Sequence, residues 1–142
     1  MFELHPQLDK DTFLIGKLAL CQVLLMNERQ FPWLILVPQR SFIREIYELN
    51  ENDQTALHEE SVAISKILIS HFAGDKLNVA AIGNIVPQLH IHHIVRFEHD
   101  IVWPKPVWGH ITAKTYTKSQ KDRLVSTLQK TISEKLTGFI TC

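Results

Sequence analysis

The sequence lacks the features that mark several large classes of protein. Only two cysteines occur in its 142 residues, Cys21 and Cys142, and no Cys-x-x-Cys pair is present, which excludes a disulfide framework. It contains neither the Gly-x-x-x-x-Gly-Lys-Ser/Thr loop nor the Gly-x-Gly-x-x-Gly loop, so the two commonest phosphate-binding loops are absent. Lys plus Arg and Asp plus Glu are balanced at 15 each, which leaves no basic field to gather a nucleic acid polymer.

The chain also lacks apolar segments of the kind that membranes or export require. No uncharged apolar run approaches the roughly 20 residues of a membrane helix. The start, Met-Phe-Glu-Leu-His-Pro, contains an acidic residue and no apolar core of a secretory signal. We therefore expect a cytoplasmic protein with no membrane partner. Its 45% of hydrophobic and 21% of charged residues indicate a single globular domain over residues 1–142.

Apolar patterning predicts an α+β fold. Strands are predicted at 18–26, 33–37, 76–82 and 88–97, the first two as an antiparallel hairpin, with Gly83 and Asn84 as a tight connection before the last. Helices are predicted at 53–72 and from Ser119 to about Gly138, and residues 4–11 are expected to run extended. Strands and helices do not alternate regularly, so we expect an antiparallel sheet of about five strands against which two main helices pack.

The residues that can carry chemistry lie at 86–96, Val-Pro-Gln-Leu-His-Ile-His-His-Ile-Val-Arg. Residues two apart in a strand share a face, so Gln88, His90 and His92 project together while His93 projects the other way. At about 3.3 Å per residue, neighbours in this row lie roughly 6.5 Å apart, a span that one or two phosphate groups could bridge. A neutral imidazole can attack phosphorus, while a second His and an amide stabilise the charges, which favours displacement chemistry at a phosphate group.

Two other interpretations of the histidine row stay open. The row could be structural only. It could also bind zinc or iron, because imidazole is the commonest metal ligand and His99 lies a few residues downstream. No His-Glu-x-x-His motif and no carboxylate at a fixed spacing accompany the row, so we expect no metal site, with a metal-dependent hydrolase as an alternative.

The order Gln88-x-His90-x-His92, with an apolar pair and Arg96 after it, resembles the His-x-His-x-His motif of the histidine triad (HIT) family. From about Leu18 to Trp108 the chain resembles that family's bacterial members of the diadenosine tetraphosphate (Ap4A) hydrolase type. The resemblance implies a HIT-like fold, a nucleotide or dinucleotide substrate, a hydrolase or transferase activity and a homodimer. We expect no required cofactor, although the charge of a polyphosphate favours an accompanying Mg²⁺.

The resemblance also implies a role for each residue of the row. His90 falls on the nucleophile that takes up the nucleotidyl group, and His92 falls on the residue that contacts phosphate. Gln88 stands where the family usually has a histidine. An amide can orient a group but cannot act as a general acid, so turnover would be slow unless another group supplies the proton.

Further substrate contacts are expected outside the row. Gly83, Asn84 and Ile85 align with the family's Gly-Gln-Ser/Thr, where Asn84 can replace the amide but Ile85 cannot replace the hydroxyl. Asn27 falls near a family position that contacts the nucleoside, and strand alternation puts Asn78 beside the row. Because of the departures at 85 and 88, a non-catalytic nucleotide-binding module or sensor is the alternative function.

Two further pairs of residues are left out of the predicted site. Arg40 and Arg44 are expected to be solvated surface residues. Trp103 and Trp108 lie in a segment without periodicity, which predicts a packed lid or a dimer contact rather than base stacking.

Overall fold

The fold is a six-stranded antiparallel sheet with helices, described for all 142 residues by a computed structural model. In chain order its elements are α1 Pro6–Asp11, β1 Thr12–Lys17, β2 Cys21–Met26, β3 Trp33–Pro38, a 3-10 turn at Ile46–Glu48, α2 Glu51–Phe72, β4 Lys76–Ala80, β5 Ile91–Arg96, α3 Lys118–Lys135 and β6 Ile140–Thr141. The strand order is β4-β5-β3-β2-β1-β6. The expected α+β class is confirmed, with six strands instead of about five. No helix combines the length and the apolar character that a membrane span needs.

The strongest sequence patterns correspond to observed elements. The predicted hairpin is β2 and β3, which pair antiparallel with Leu24 opposite Ile35. Helix α2 begins after Asn50, whose side chain accepts a hydrogen bond from the backbone N–H of Asp53 at 2.8 Å. Helix α3 begins after Thr117, where Gln120 completes a capping box.

Three predictions about local structure are wrong. Residues 6–11 form α1 instead of an extended segment, because Pro6 fits the first turn and the ring of His5 caps the backbone N–H of Gln7 at 3.1 Å. Residues 81–90 form a loop instead of a tight connection at Gly83 and Asn84. Strand β5 begins at Ile91, so Gln88 and His90 lie just before it.

The two faces of the sheet pack against different parts of the chain. One face, with Leu34 and Val95, is buried against apolar residues of α2 and α3, such as Ile64 and Leu128. The opposite face, with Trp33 and Ile94, is covered by α1 and by the segment that follows β5, through Leu8 and Val107. His92 shares the second face with Ile94, so the histidine row lies on the side away from α2 and α3.

Candidate active site

His90 and His92 form a close pair at the start of β5. Their ring centroids are 4.9 Å apart, and the rings are inclined at 74°. Nδ1 of His90 lies 2.7 Å from the backbone carbonyl oxygen of Gln88. A carbonyl oxygen can only accept, so Nδ1 carries the proton and Nε2 keeps the lone pair of the neutral ring. The neutral ring of His90 is therefore held in one orientation, with the lone pair on Nε2.

The protonation of His92 is set the opposite way by Trp33. The indole Nε1–H of Trp33 donates to Nδ1 of His92 at 3.0 Å. Because an indole N–H can only donate, Nδ1 of His92 is the acceptor and its Nε2 carries the proton. Burial, followed by the charges of His90 and His93, lowers the pKa of His92 to about 3, so this ring is neutral at pH 7. The pair thus has one lone pair for attack and one N–H that can bind a phosphate oxygen.

Trp33 is the site residue that sequence reasoning missed. The sequence predicts it only as the first residue of a buried strand. Ile35 pairs with His92 across β3 and β5, so Trp33, two residues from Ile35, lies diagonally beside His92 on the same face. The indole N–H of Trp33 could have identified this residue as a contact of His92, but only once the pairing of β3 with β5 is known.

The aromatic segment after β5 completes the wall beside His92. The ring of Trp108 meets His92 edge-on with centroids 5.0 Å apart, and it meets Trp33 at 5.8 Å. The start of the segment is fixed by Arg96, whose guanidinium binds both carboxylate oxygens of Asp100 at 2.7 and 3.0 Å. Packing is thus what the structure shows for Trp108, and it restricts how the His92 ring can turn.

His93 lies on the opposite face, as predicted, and takes part in packing. Its Nδ1–H donates to the carbonyl of Ile91 at 3.0 Å, and the hydroxyl of Ser61 on α2 donates to its Nε2 at 2.8 Å. Burial lowers the pKa of His93 to about 4, which keeps the ring neutral in the core. This histidine connects β5 to α2 and has no free nitrogen for a substrate.

The side chain of Gln88 holds the N-terminal segment. Its Oε1 accepts from the backbone N–H of His5 at 2.9 Å, and its Nε2 donates to the carbonyl of Glu3 at 2.9 Å. An amide nitrogen has two hydrogens, so one N–H of Gln88 stays available for a substrate oxygen. Gln88 therefore holds residues 3–5 against the loop that leads into β5, an arrangement that spacing along the sequence does not predict.

The other residues predicted for the site differ in how far their side chains are already held by hydrogen bonds. Asn78 is opposite Ile94 on the histidine face, but its Oδ1 accepts from Arg96 at 3.0 Å. Oδ1 of Asn27 accepts from the backbone N–H of Tyr116 at 2.9 Å, before α3. Gly83 and Asn84 lie in the 81–90 loop, where Gly83 has a φ of 68° and the Asn84 side chain is exposed. Asn84 is therefore the freest of the three amides.

Metal-ligating side chains do not converge in this structure. No group of three or more His, Cys, Asp or Glu side chains has the arrangement to hold a metal ion. His99 is exposed and packs against the ring of Phe97, with centroids 5.2 Å apart.

Comparisons with known proteins agree with this geometry. The family model described as HIT domain matches residues 7–99. A histidine triad protein from Marinobacter aquaeolei VT8 is 50% identical, with a TM-score of 0.91 over 95% of this chain and 98% of that one. Histidine triad proteins from Bradyrhizobium japonicum (40% identical, TM-score 0.89, covering 92% and 98%) and Sinorhizobium meliloti 1021 (43%, 0.87, covering 96% and 98%) are also similar. No curated protein matches the chain at a significant level.

Proposed function

The chain belongs to the histidine triad (HIT) family, and we propose that it is a nucleotidyl hydrolase or transferase acting through a nucleotidyl intermediate on His90. Its substrate would be a dinucleoside polyphosphate such as Ap4A, or a nucleoside phosphoramidate. The hydrogen bond from Nδ1 of His90 to the carbonyl of Gln88, at 2.7 Å, carries the proposal because it leaves Nε2 as a fixed nucleophile.

The proposed reaction has two displacements at one phosphorus atom. Nε2 of His90 attacks the α-phosphorus, and the bond from phosphorus to the leaving oxygen breaks with its electron pair on that oxygen. The Nε2–H of His92 and the amide of Asn84 donate to the phosphate oxygens, while the free N–H of Gln88 orients the leaving oxygen. Water then attacks the same phosphorus, the phosphorus–Nε2 bond breaks with its electron pair returning to His90, and the mononucleotide is released with the water oxygen on its phosphate.

Incubation with Ap4A, with and without a chelator, tests the proposal directly. Chromatography should show AMP and ATP, and the intact mass should show a protein carrying one nucleotidyl group, which peptide mapping assigns to His90. Intact Ap4A together with a raised melting temperature would contradict turnover and favour the binding module. Activity that needs a tightly held metal would favour the metal-dependent alternative, whereas dependence on added Mg²⁺ alone would mean that the ion accompanies the polyphosphate.

Trp33→Phe is expected to lower kcat about tenfold without a matching rise in KM. Phenylalanine keeps the aromatic packing on Trp108 and removes only the N–H that fixes the tautomer of His92. The loss of one buried hydrogen bond is worth about 1–3 kcal/mol, and about 1.4 kcal/mol corresponds to a factor of ten. Steady-state kinetics would measure the effect. Trp103→Phe is the control because that ring faces Arg96, and equal losses in both variants would exclude a specific role for the Trp33 N–H.

A homodimer is part of the proposal. Strand β4 is an edge of the sheet. Val79 on this strand and Ile46 are each about half exposed, and both line a cavity of about 240 Å³. An edge strand with apolar side chains is a surface that a second copy can cover. A molar mass in light scattering close to the 16.4 kDa of one chain would contradict this part of the proposal.

A further inference from the structure

A cavity of about 630 Å³ lies beside Gln88, and the rest of its lining has no role in the reaction described above. The N-terminal segment lines one side and residues 41–44 line the other, with Pro87 and Gln88 between them. Its volume is within the range that small-molecule sites occupy. The backbone carbonyl oxygen of Gln88 lies 2.7 Å from Nδ1 of His90, so one lining residue of the cavity contacts the ring of the nucleophile. A substrate that extends beyond the attacked phosphorus would enter it.

The polar side chains that line this cavity are mainly donors. Arg44 and Ser41 line it, and neither the guanidinium nor the hydroxyl makes a hydrogen bond or ion pair within the chain. His5 also lines it, and because its Nδ1 accepts from the backbone N–H of Gln7 at 3.1 Å, its Nε2 is the ring nitrogen left for a ligand. The one carboxylate of the lining is that of Glu3. A guanidinium, a hydroxyl and an imidazole N–H together suit phosphate oxygens.

Phe42 gives the cavity an aromatic surface. Its φ is 61°, a left-handed conformation that a bulky residue rarely adopts, and its side chain is 97% exposed. Packing within the chain therefore does not compensate for the backbone strain. Strained residues of this kind are concentrated at ligand-binding sites. A flat, exposed ring beside phosphate-binding donors is an arrangement on which a nucleobase can stack.

We propose that this cavity is the leaving-group subsite, in which Arg44 binds the phosphates and Phe42 stacks on the base of the departing nucleotide. The inference rests on the proposed function and narrows its substrate to a dinucleoside polyphosphate. When His90 attacks the α-phosphorus of Ap4A, the nitrogen–phosphorus bond forms, the bond to the bridging oxygen breaks, and ATP leaves with the electron pair. ATP is the half of the substrate that this cavity holds.

Two substrates that transfer the same AMP but differ in their leaving groups test the subsite. For Phe42→Ala and for Arg44→Ala, we expect KM for Ap4A to rise roughly tenfold, as for loss of one stacked base or one phosphate contact. The kinetics with adenosine 5′-phosphoramidate should stay within about twofold of wild type, because its leaving group does not reach the cavity. Phe42→Trp keeps a stacking surface, so its KM for Ap4A should stay close to that of wild type. Tyr47→Ala and Arg123→Ala are matched controls, since both residues are exposed and neither lines the cavity.

The outcomes separate this inference from the proposed function. Equal effects on the two substrates, or no effect on either, would overturn the subsite while leaving catalysis by His90 intact. A changed molar mass of Phe42→Ala in light scattering would overturn it as well, because Phe42 would then be a contact between copies. If wild type turned over neither substrate, the proposed function would fail. Calorimetry would still decide on the subsite, because unchanged ATP affinity in Phe42→Ala and Arg44→Ala would exclude it and weakened affinity would support it.

Discussion

His90→Ala should reduce kcat/KM for Ap4A by about 10³-fold or more and should eliminate the nucleotidyl adduct. The variant lacks the only nitrogen that the structure holds with a free lone pair at the row, so the two-step route is lost and not merely slowed. His92 cannot take over, because its Nδ1 accepts the indole N–H of Trp33 and its Nε2 carries the proton.

The controls for this variant address folding and general histidine effects. His90 precedes β5 and makes one hydrogen bond to the backbone, so circular dichroism and the melting temperature should change little. His99→Ala, at an exposed position on the same segment, should keep wild-type turnover. His92→Ala should lower kcat less than His90→Ala does and should still form the adduct. Wild-type rates in His90→Ala would show that the mechanism is wrong.

The histidine pair could be predicted from the sequence because it depends on local geometry. The period of two from His90 to His92 is enough to place these two residues together, and it also sends His93 to α2. The contacts of Trp33 and Gln88 could not be predicted in this way. Trp33 reaches His92 through the register of β3 and β5, and Gln88 reaches residues 3–5, more than 80 positions away.

The elements of the fold also differ in whether their own residues or contacts with distant residues specify them. The hairpin β2–β3 and helices α2 and α3 are long and strongly patterned, so their own residues specify them. Helix α1 has six residues and β6 has two, too few for a periodic signal, and both depend on packing against β1 and its neighbours. Residues 12–17 have no clear alternation, and they become β1 through pairing with β2 and β6.

Asp100→Ala is expected to have the largest effect on stability, because it leaves the buried charge of Arg96 without its carboxylate. The Arg96 side chain is 1% exposed and that of Asp100 is 6% exposed, with Nε and Oδ2 2.7 Å apart. The other partners of the guanidinium are the amide oxygen of Asn78 and the rings of Phe31 and Trp103. None of these supplies a negative charge. Breaking a buried pair by removing one partner typically costs about 3–5 kcal/mol.

In this chain such a loss should lower the melting temperature by roughly 10 °C or more, measured by calorimetry at pH 7. Asp122→Ala is the matched control, since it removes a carboxylate from a pair with Lys118 that is largely exposed, and it should leave the melting temperature unchanged within error. Asp100 also accepts hydrogen bonds from the backbone N–H groups of Phe97 and Val102, so its loss should free the segment that positions Trp108 against His92. The variant should therefore lose turnover as well, even below its melting temperature. Full activity with a lowered melting temperature would show that Asp100 stabilises the fold but does not help to orient His92.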